Sequence, residues 1–406
     1  MRLIDICLAT QIRAKTHGVT RGLCVSQTVL RRLTRRGVLG ALLSLGVGLI
    51  TAESAAQAQF IYVANGGGSN DVSAYQITAE GKLRQIGGSP FPTGNLPASV
   101  AVEPRHRFAY VVNEGSNNIS GYAIGATGEL SPVPDSPFAA GTDPHEVAVD
   151  PQGRFAYVVN AVDNNVSAYG IDAKSGVLTS IAGSSIPAGS FPRSVVVDAG
   201  GKFVYVANQV SNNVSVFRIN ESGVLTEING SPFAAGVGPC SVAISPTDPF
   251  AFVVNEGGGS ISVYHIQSDG GLRPITGSPF RTGNDPVDVI VHSSGRFAYV
   301  ANQVSSDVSA FRIGQDGSLS PLPGSPFQAG AESVCVAIEP AGKFLYVPSK
   351  FTQSVWAFRI ADDGTLTPIA DSPFATGRGP NSVAFSSAPE KSQDPPAPST
   401  TQPGLE

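Results

Sequence analysis

The chain has 406 residues, including 46 Gly and 31 Pro, and only 14 % are charged, a composition that favours short strands and tight turns over helices. Residues 1–58 hold eight of the 26 Lys and Arg but only two of the 31 Asp and Glu, so the remainder carries 18 basic and 29 acidic residues, a net charge near −11. This acidic balance argues against nucleic-acid binding, which needs clustered Lys and Arg.

Residues 1–58 differ in kind from the rest. The basic stretch Thr34-Arg35-Arg36 precedes an uncharged apolar run at 37–51, and Ala56-Gln57-Ala58 follows it. This order is typical of a secretory signal, and the paired arginines resemble a twin-arginine export signal with Val38 where Phe is usual. We therefore predict a periplasmic or secreted protein with no stable membrane span once the signal is removed. An uncleaved membrane anchor remains the alternative, although 15 apolar residues are short for a span.

Seven copies of one unit follow. Each begins with a FAYVVN-like run, at Phe60, Phe108, Phe155, Phe203, Phe250, Phe297 and Phe344, with spacings of 47 or 48 residues. Each unit then has a VSAYxI-like run, a Gly-rich turn, a short LTPI-like run, SPFxxG and finally PxSVAV. Four alternating strands in a repeat of this length predict an all-β, seven-bladed β-propeller with four antiparallel strands per blade, over residues 59–388.

Turns such as Asp362-Asp363-Gly364 separate the second run of a unit from the third. We interpret them as hairpin turns, which require positive φ. Calcium binding is the alternative, but none of these turns carries the ligand series of an EF-hand loop.

Residues 389–406 are rich in Pro and polar residues and are predicted to be a disordered tail.

The phase of the repeat predicts how the ring closes. If PxSVAV is the innermost strand, the first unit lacks one, and the last copy, at Pro380 to Phe385, has no following partner. We expect this C-terminal strand to complete the N-terminal blade, which removes the open sheet edges.

The mouth of the central channel is the default ligand site. The start of each inner strand lies there, beside the Asn that ends FAYVVN. That Asn recurs in six units and suits a turn-making role. The residues that break the symmetry are better candidates for function, namely His145, Glu146, Arg193 and Asp288. For His145 the alternative is a strand-start imidazole bonded to Glu146 or to a neighbouring turn.

The signatures RFAYVVN, NNVSxY and GSPFxxG resemble those of the YVTN-repeat, seven-bladed lactonase family, which includes 6-phosphogluconolactonases and carboxymuconate cyclases. The resemblance implies that Pro144-His145 and Pro192-Arg193 contact a lactone. In the relatives a Glu follows the Asn of the next strand and an Arg lies one blade further on. Gln209 and Glu256 stand at those positions here.

Lactone opening needs a base that activates water and a positive site for the oxyanion. His145, with an ordinary pKa near about 6.5, can serve as base, and Arg193 can hold the oxyanion or a carboxylate. Glu146, Gln209, Glu256 and Asp288 are the candidate substrate-binding residues. Because Glu256 brings negative charge where the relatives have positive charge, we expect an uncharged or weakly charged sugar-type lactone. The competing hypothesis is a non-catalytic propeller that binds a carbohydrate, a peptide or a cell-envelope partner.

No cofactor and no metal are expected. Cys240 and Cys335 lie 95 residues apart, fit no zinc spacing and are predicted to be buried free thiols. His292 is expected to be a solvated turn residue and Trp356 a blade-packing residue. We expect a monomer whose partner is a small-molecule lactone or carbohydrate.

Overall fold

Seven antiparallel sheets form the blades of a propeller in the computed structural model, which describes residues 58–183 and 185–388. The predicted export signal, apart from Ala58, and the predicted tail lie outside these residues. We number each blade by its FAYVVN-like strand, so that blade 1 contains Phe60 and blade 7 contains Phe344. Within the described residues no helix is long and apolar enough to cross a membrane.

Each blade runs from an inner strand at the channel to an outer strand at the rim. The inner strands of blades 1 to 7 are Pro380–Ser387, Pro97–Val102, Pro144–Val149, Pro192–Val197, Pro239–Ile244, Pro286–Val291 and Ala337–Ile338. The second strands are Gln59–Asn65, Phe108–Asn113, Phe155–Asn160, Phe203–Asn208, Phe250–Asn255, Phe297–Asn302 and Phe344–Ser349. The third strands are Asp71–Ile77, Asn118–Ile124, Asn165–Ile171, Asn213–Ile219, Ser260–Ile266, Asp307–Ile313 and Ser354–Ile360.

Two short strands share the outer edge of each third strand. The fourth strands are Leu83–Gln85, Leu130–Pro132, Leu178–Ser180, Leu225–Glu227, Leu272–Pro274, Leu319–Pro321 and Leu366–Pro368. The two-residue fifth strands, which the sequence did not predict, are Phe91–Pro92, Phe138–Ala139, Ile186–Pro187, Phe233–Ala234, Phe280–Arg281, Phe327–Gln328 and Phe374–Ala375. One short 3-10 helix, Glu114–Ser116, follows the second strand of blade 2.

The two ends of the propeller share blade 1, as predicted. The C-terminal strand Pro380–Ser387 pairs antiparallel with Gln59–Asn65, with Tyr62 opposite Ala384. This pairing gives blade 1 the inner strand that its own unit lacks, so the ring closes through hydrogen bonds between residues more than 300 positions apart.

Apolar clusters between neighbouring blades hold the ring together. Each of the seven clusters in the described residues combines side chains of two adjacent blades, and the second strands are almost wholly buried in them. In six blades the Tyr of the second strand also donates a hydrogen bond, 2.7–3.1 Å long, to the carbonyl of the turn glycine of the next blade. Gly176 shows why that residue is glycine: its φ is +74°, and a Cβ there would lie 2.4 Å from the Phe108 ring.

The strand-ending Asn has the structural role that its repetition indicates. Asn65 is fully buried, and its side-chain amide donates to Asp71 Oδ1 at 2.7 Å and to Ser73 Oγ at 2.9 Å. Equivalent bonds tie the second strand to the third in blades 2 to 6. These Asn side chains therefore fix the turn beside the channel mouth.

Candidate functional site

A cavity of about 350 Å³ lies at the channel mouth and is lined by residues of all seven blades. Two complete rings of inner-strand residues form most of its wall. The bulge ring comprises the second residue of each inner strand or its equivalent, namely Asn381, Ala98, His145, Arg193, Cys240, Val287 and Val334. The belt comprises the next residue, namely Ser382, Ser99, Glu146, Ser194, Ser241, Asp288 and Cys335.

A β-bulge explains why two consecutive residues face the same cavity. Pro144 pairs with Asn160 and Glu146 with Val159, so His145 is an extra residue in the ladder. The same shift occurs at Ala98, Arg193, Cys240, Val287 and Asn381. Side chains of a regular strand alternate between faces, and a bulge breaks that alternation and redirects a side chain. The repeated Pro therefore marks the position where each blade can present a functional group.

The belt links neighbouring blades through side-chain-to-backbone hydrogen bonds. Ser382, Ser194 and Ser241 accept the backbone N–H of Val100, Val242 and Val289. Glu146 accepts the N–H of Val195 at 2.7 Å, and Asp288 accepts that of Val336 at 2.9 Å. The two carboxylates thus occupy positions that serine fills in other blades, and they have a structural role in addition to facing the cavity.

A third set of residues, the corner ring, directly follows the second strands: Gly66, Glu114, Ala161, Gln209, Glu256, Gln303 and Lys350. Each corner residue donates its N–H to the carbonyl of the residue that precedes the inner-strand start of its blade. The side chains of Glu114, Gln303 and Lys350 line the cavity. These bonds fix the corner residues to the scaffold rather than leaving them on free loops.

Arg193 and Lys350 bring two positive charges to the cavity. Neither side chain has a hydrogen bond or an ion pair with any residue that the structure describes. Burial and the charge of Arg193 lower the pKa of Lys350, while Glu332 and Glu114 act in the opposite direction. Two unpaired cations that repel each other in a partly enclosed site form a preorganised site for an anion or a developing oxyanion.

His145 is a weaker base than its sequence position suggests. Burial, together with the charges of Arg193 and Lys350, lowers the pKa of His145 to about 3. In the described ranges the ring has no hydrogen bond to Glu146 or to another side chain, whereas a hydrogen bond with its own backbone opposes the fall in pKa. The pKa of His145 therefore lies below the ordinary histidine value. His145 is neutral at pH 7 and can orient water through a ring nitrogen.

Glu146 and Asp288 hold protons more tightly than surface carboxyl groups. Burial raises the pKa of Glu146 to about 7, and the negative charge of Asp288 adds to this effect. Burial also raises the pKa of Asp288, although bonds from Val336 and Ser241 oppose the shift. A carboxyl group that titrates near pH 7 can both accept and return a proton.

Gln209 and Glu256 bind each other. The Gln209 amide donates to the Glu256 carboxylate across neighbouring blades, and neither residue is among those that line the cavity. The structure thus brings His145, Glu146, Arg193 and Asp288 together and places Gln209 and Glu256 beside the cavity. Their roles with substrate remain predictions.

Three cavity residues were missed in the sequence, namely Glu114, Gln303 and Lys350. The available signal is the position after the strand-ending Asn, which the family resemblance singles out only at Gln209 and Glu256. Blade 7 also hides this signal because Ser349 replaces the Asn and Ser333 replaces the inner-strand Pro. Burial and the charge of Asp143 raise the pKa of Glu114, whereas the charges of Arg193 and Lys350 act in the opposite direction.

Cys240 and Cys335 face the cavity as free thiols, as predicted. Burial raises the pKa of both thiols.

His292 is more than a solvated turn residue, since its Nε2 lies 2.9 Å from the Gly342 carbonyl of the next blade. Trp356 packs in the cluster between blades 6 and 7, as expected. In the described ranges no three His, Cys, Asp or Glu side chains form a metal-binding group.

Solved structures with the same architecture cover most of the chain. A candidate 6-phosphogluconolactonase from Bacteroides fragilis shares 18 % identity, with a TM-score of 0.73 over 82 % of this chain and 98 % of that one. The periplasmic gluconolactonase of Pseudomonas aeruginosa shares 19 % identity, with a TM-score of 0.68 over 82 % and 99 %. At these identities the likeness shows the fold alone. No functionally curated protein matches the sequence significantly.

The sequence itself matches a family described as "Lactonase, 7-bladed beta-propeller". The match spans residues 51–241 and 236–390, which is most of the chain and includes every cavity residue. The chain therefore belongs to the seven-bladed β-propeller lactonase family.

Proposed function

We propose that the protein hydrolyses a lactone in the channel-mouth cavity. One observation carries this proposal: a titratable pair, His145 and Glu146, faces the same small cavity as two unpaired cations, Arg193 and Lys350. Family membership supports the reaction class, because a propeller alone hosts many functions.

In the proposed reaction the two cations and the pair His145 and Glu146 have separate roles. Arg193 and Lys350 stabilise the carbonyl oxygen as it becomes an oxyanion. His145 accepts a hydrogen bond from the attacking water, and Glu146, in its ionised form, takes up the water proton. The water oxygen bonds to the carbonyl carbon, the ring C–O bond breaks, and Glu146 returns the proton to the departing ring oxygen. The product is a hydroxy acid.

A sugar-type lactone is the proposed substrate class. The expectation that a charged lactone is disfavoured rested on Glu256, which is bonded to Gln209 and does not line the cavity. Lys350 brings a second positive charge to the cavity, next to that of Arg193. A carboxylate on the lactone is therefore compatible with the site. Export, either to the periplasm or out of the cell, is proposed on the sequence of residues 1–58.

The test is proton release by residues 59–406 against a panel of aldonolactones at neutral pH, for the wild type and for His145→Ala and Arg193→Ala. We expect turnover that falls by about 10²-fold or more in either variant. His265→Ala is the matched control, since this histidine lies on the third strand of blade 5 outside the cavity.

Absence of turnover on every lactone would contradict the proposal. If the unchanged protein still bound lactones or sugars in calorimetry, the non-catalytic binding hypothesis would replace it. Equal activity of the wild type and both cavity variants would show that catalysis occurs elsewhere.

A further inference from the structure

The exposed large apolar side chains of the described residues all lie on the face that carries the cavity. They are between 44 and 75 % exposed: Leu96, Val162, Val210, Val237, Val304 and Phe351. Every one belongs to a loop that leads out of a second strand or into an inner strand. The loops of the opposite face carry none within the described ranges. We call these six side chains the apolar rim.

Two different loops supply the apolar rim. In blades 3, 4, 6 and 7 the apolar residue directly follows the corner residue. In blades 2 and 5 glycine stands there, and a side chain from the other loop of the blade covers it. A Cβ at Gly115 would lie 3.2 Å from Cδ1 of Leu96, and one at Gly257 would lie 3.0 Å from Cγ1 of Val237. Six blades thus place an apolar side chain at the same part of the mouth, although the side chain comes from different loops in different blades. Repetition of a single residue in the sequence does not explain this arrangement.

The chemistry of the face favours a small ligand over a macromolecule. Acidic residues, including Asp143, Asp163 and Glu332, lie in the loops of the same face, and Asp163 directly follows Val162. A stable protein interface needs about 800 Å² per partner with a continuous apolar centre, and an anionic membrane would be repelled by the acids. Single apolar groups spaced around a polar cavity instead suit a ligand that emerges from it.

In blades 6 and 7 a member of the apolar rim directly follows a residue that lines the cavity. Gln303 and Lys350 line the cavity, and Val304 and Phe351 are the next residues in the chain. Phe351 is the most exposed member of the rim. This adjacency places both exposed side chains beside the part of the mouth that Gln303 and Lys350 line.

We propose that the substrate is an amphipathic lactone, whose polar ring occupies the cavity and whose apolar substituent lies on Phe351 and Val304. This inference rests on the proposed lactone hydrolysis and narrows its substrate class. Full burial of a methylene group strengthens binding about fourfold, so a half-covered group on an open rim gives about twofold. The specificity of the site should therefore depend on the length of the substituent.

The experiment measures kcat/KM for γ-lactones that carry alkyl substituents of one to eight carbons. We expect the wild-type value to rise about twofold per methylene and then to level off. Phe351→Ser and Val304→Ser should flatten this rise and leave the shortest lactone unaffected. Val162→Ser is the matched control, because it lies on the rim in blade 3 and follows Ala161, which does not line the cavity. A wild-type value that does not depend on length, or equal flattening in Val162→Ser, would overturn the inference.

Binding of the corresponding alkyl lactams, which resist hydrolysis, separates this inference from the proposed reaction. Affinity that rises with length in the wild type but not in Phe351→Ser supports the apolar rim even if no lactone is hydrolysed. Lactone turnover combined with length-independent lactam affinity rejects it. Sedimentation velocity adds one further rejecting outcome, namely a dimer that Phe351→Ser dissociates, since the rim would then be a subunit interface.

Discussion

At the level of single residues, burial and neighbouring charges together set the electrostatics of the cavity. Arg193 and Lys350 lie close enough to lower the pKa of His145, and Arg193 also lowers that of Lys350. A bound anion or oxyanion offsets the repulsion between these two cations. Burial, together with the same two charges, keeps His145 neutral, so it can accept a hydrogen bond across the physiological pH range.

Replacing Lys350 tests this coupling. In Lys350→Gln the pKa of His145 should rise, because one of the two charges that disfavour the imidazolium is removed. The measurement is an NMR titration of the His145 ring. Lys343→Gln, which removes a lysine before the second strand of blade 7 and outside the cavity, should leave the titration unchanged. A shift of the same size in both variants would mean that net charge alone acts on His145.

Glu146 makes stability depend on pH in a defined direction. Its pKa rises from 4.5 to about 7 on folding, so between these values the native state binds more protons than the unfolded state, and stability falls as pH increases. Glu146→Gln keeps an acceptor for the Val195 N–H and removes the titration. We expect the variant to gain up to about 2 kcal/mol relative to wild type between pH 5 and pH 8. Water in the cavity reduces this figure by screening.

Urea denaturation of both proteins at the two pH values measures the difference, and other titrating groups cancel in the comparison. A difference that is constant with pH would show that Glu146 titrates normally. In that case Glu146 could not serve as the proton carrier proposed above.

Much of the site could be predicted from the sequence because the repeat proline marks each bulge. The departures at His145, Glu146, Arg193 and Asp288 were visible against the other units. The charge network could not be predicted, since it depends on side chains from blades that are far apart in the chain and meet only across the channel. The position of Lys350 in the cavity could not be predicted for the same reason. Its lowering of the pKa of His145 therefore could not be predicted either.

At the level of the blade, the Tyr-to-glycine bond recurs in six of the seven blades. Blade 5 has Phe252 at that position, fully buried, and the turn glycine of blade 6, Gly317, therefore receives no such bond. Gly317 has a φ of +82° and contacts Phe250 as the other turn glycines contact their Phe, so the local geometry is the same.

Phe252→Tyr should therefore stabilise the protein by about 1 kcal/mol, because the new hydroxyl can donate to the Gly317 carbonyl. Tyr110→Phe, the reverse change in blade 2, should cost about as much, since the Gly176 carbonyl loses its partner. Denaturation midpoints measure both. Destabilisation by Phe252→Tyr would show that the space at blades 5 and 6 cannot accept a hydroxyl.

Blade 7 shows where prediction of an element from the repeat fails. Its inner strand has only two residues, Ala337–Ile338, whereas the equivalent strands of the other blades have six or more. Ser333 replaces the inner-strand Pro, and Pro348 stands in the second strand, where it cannot donate to a ladder. The alignment of repeats placed this strand correctly but could not give its length, which depends on these two local exchanges.

For the whole molecule, the shared blade 1 makes the C-terminal strand essential. A chain that ends at residue 388 should fold like the full-length protein, whereas one that ends at 379 leaves the edge of Gln59–Asn65 unpaired and exposes its apolar side chains. Soluble yield and thermal unfolding compare the two. A cooperative, soluble 59–379 fragment would show that six complete blades are sufficient.

The ring architecture itself followed from the sequence because seven similar units can bury their faces only against one another. Even the closure was predictable, since the first unit lacked one strand and the last strand lacked a partner. The volume of the cavity and the exposure of the apolar rim could not be predicted, because both depend on how the seven blades converge at the mouth.

Ring closure also imposes a delay during biosynthesis. The strand Gln59–Asn65 is made early, but its partner Pro380–Ser387 leaves the ribosome only after more than 300 further residues. At about 5–20 residues per second this takes tens of seconds, during which one sheet edge stays unpaired. The ring of this protein therefore closes only after its last strand has been made, and any factor that shields the first strand acts in that interval.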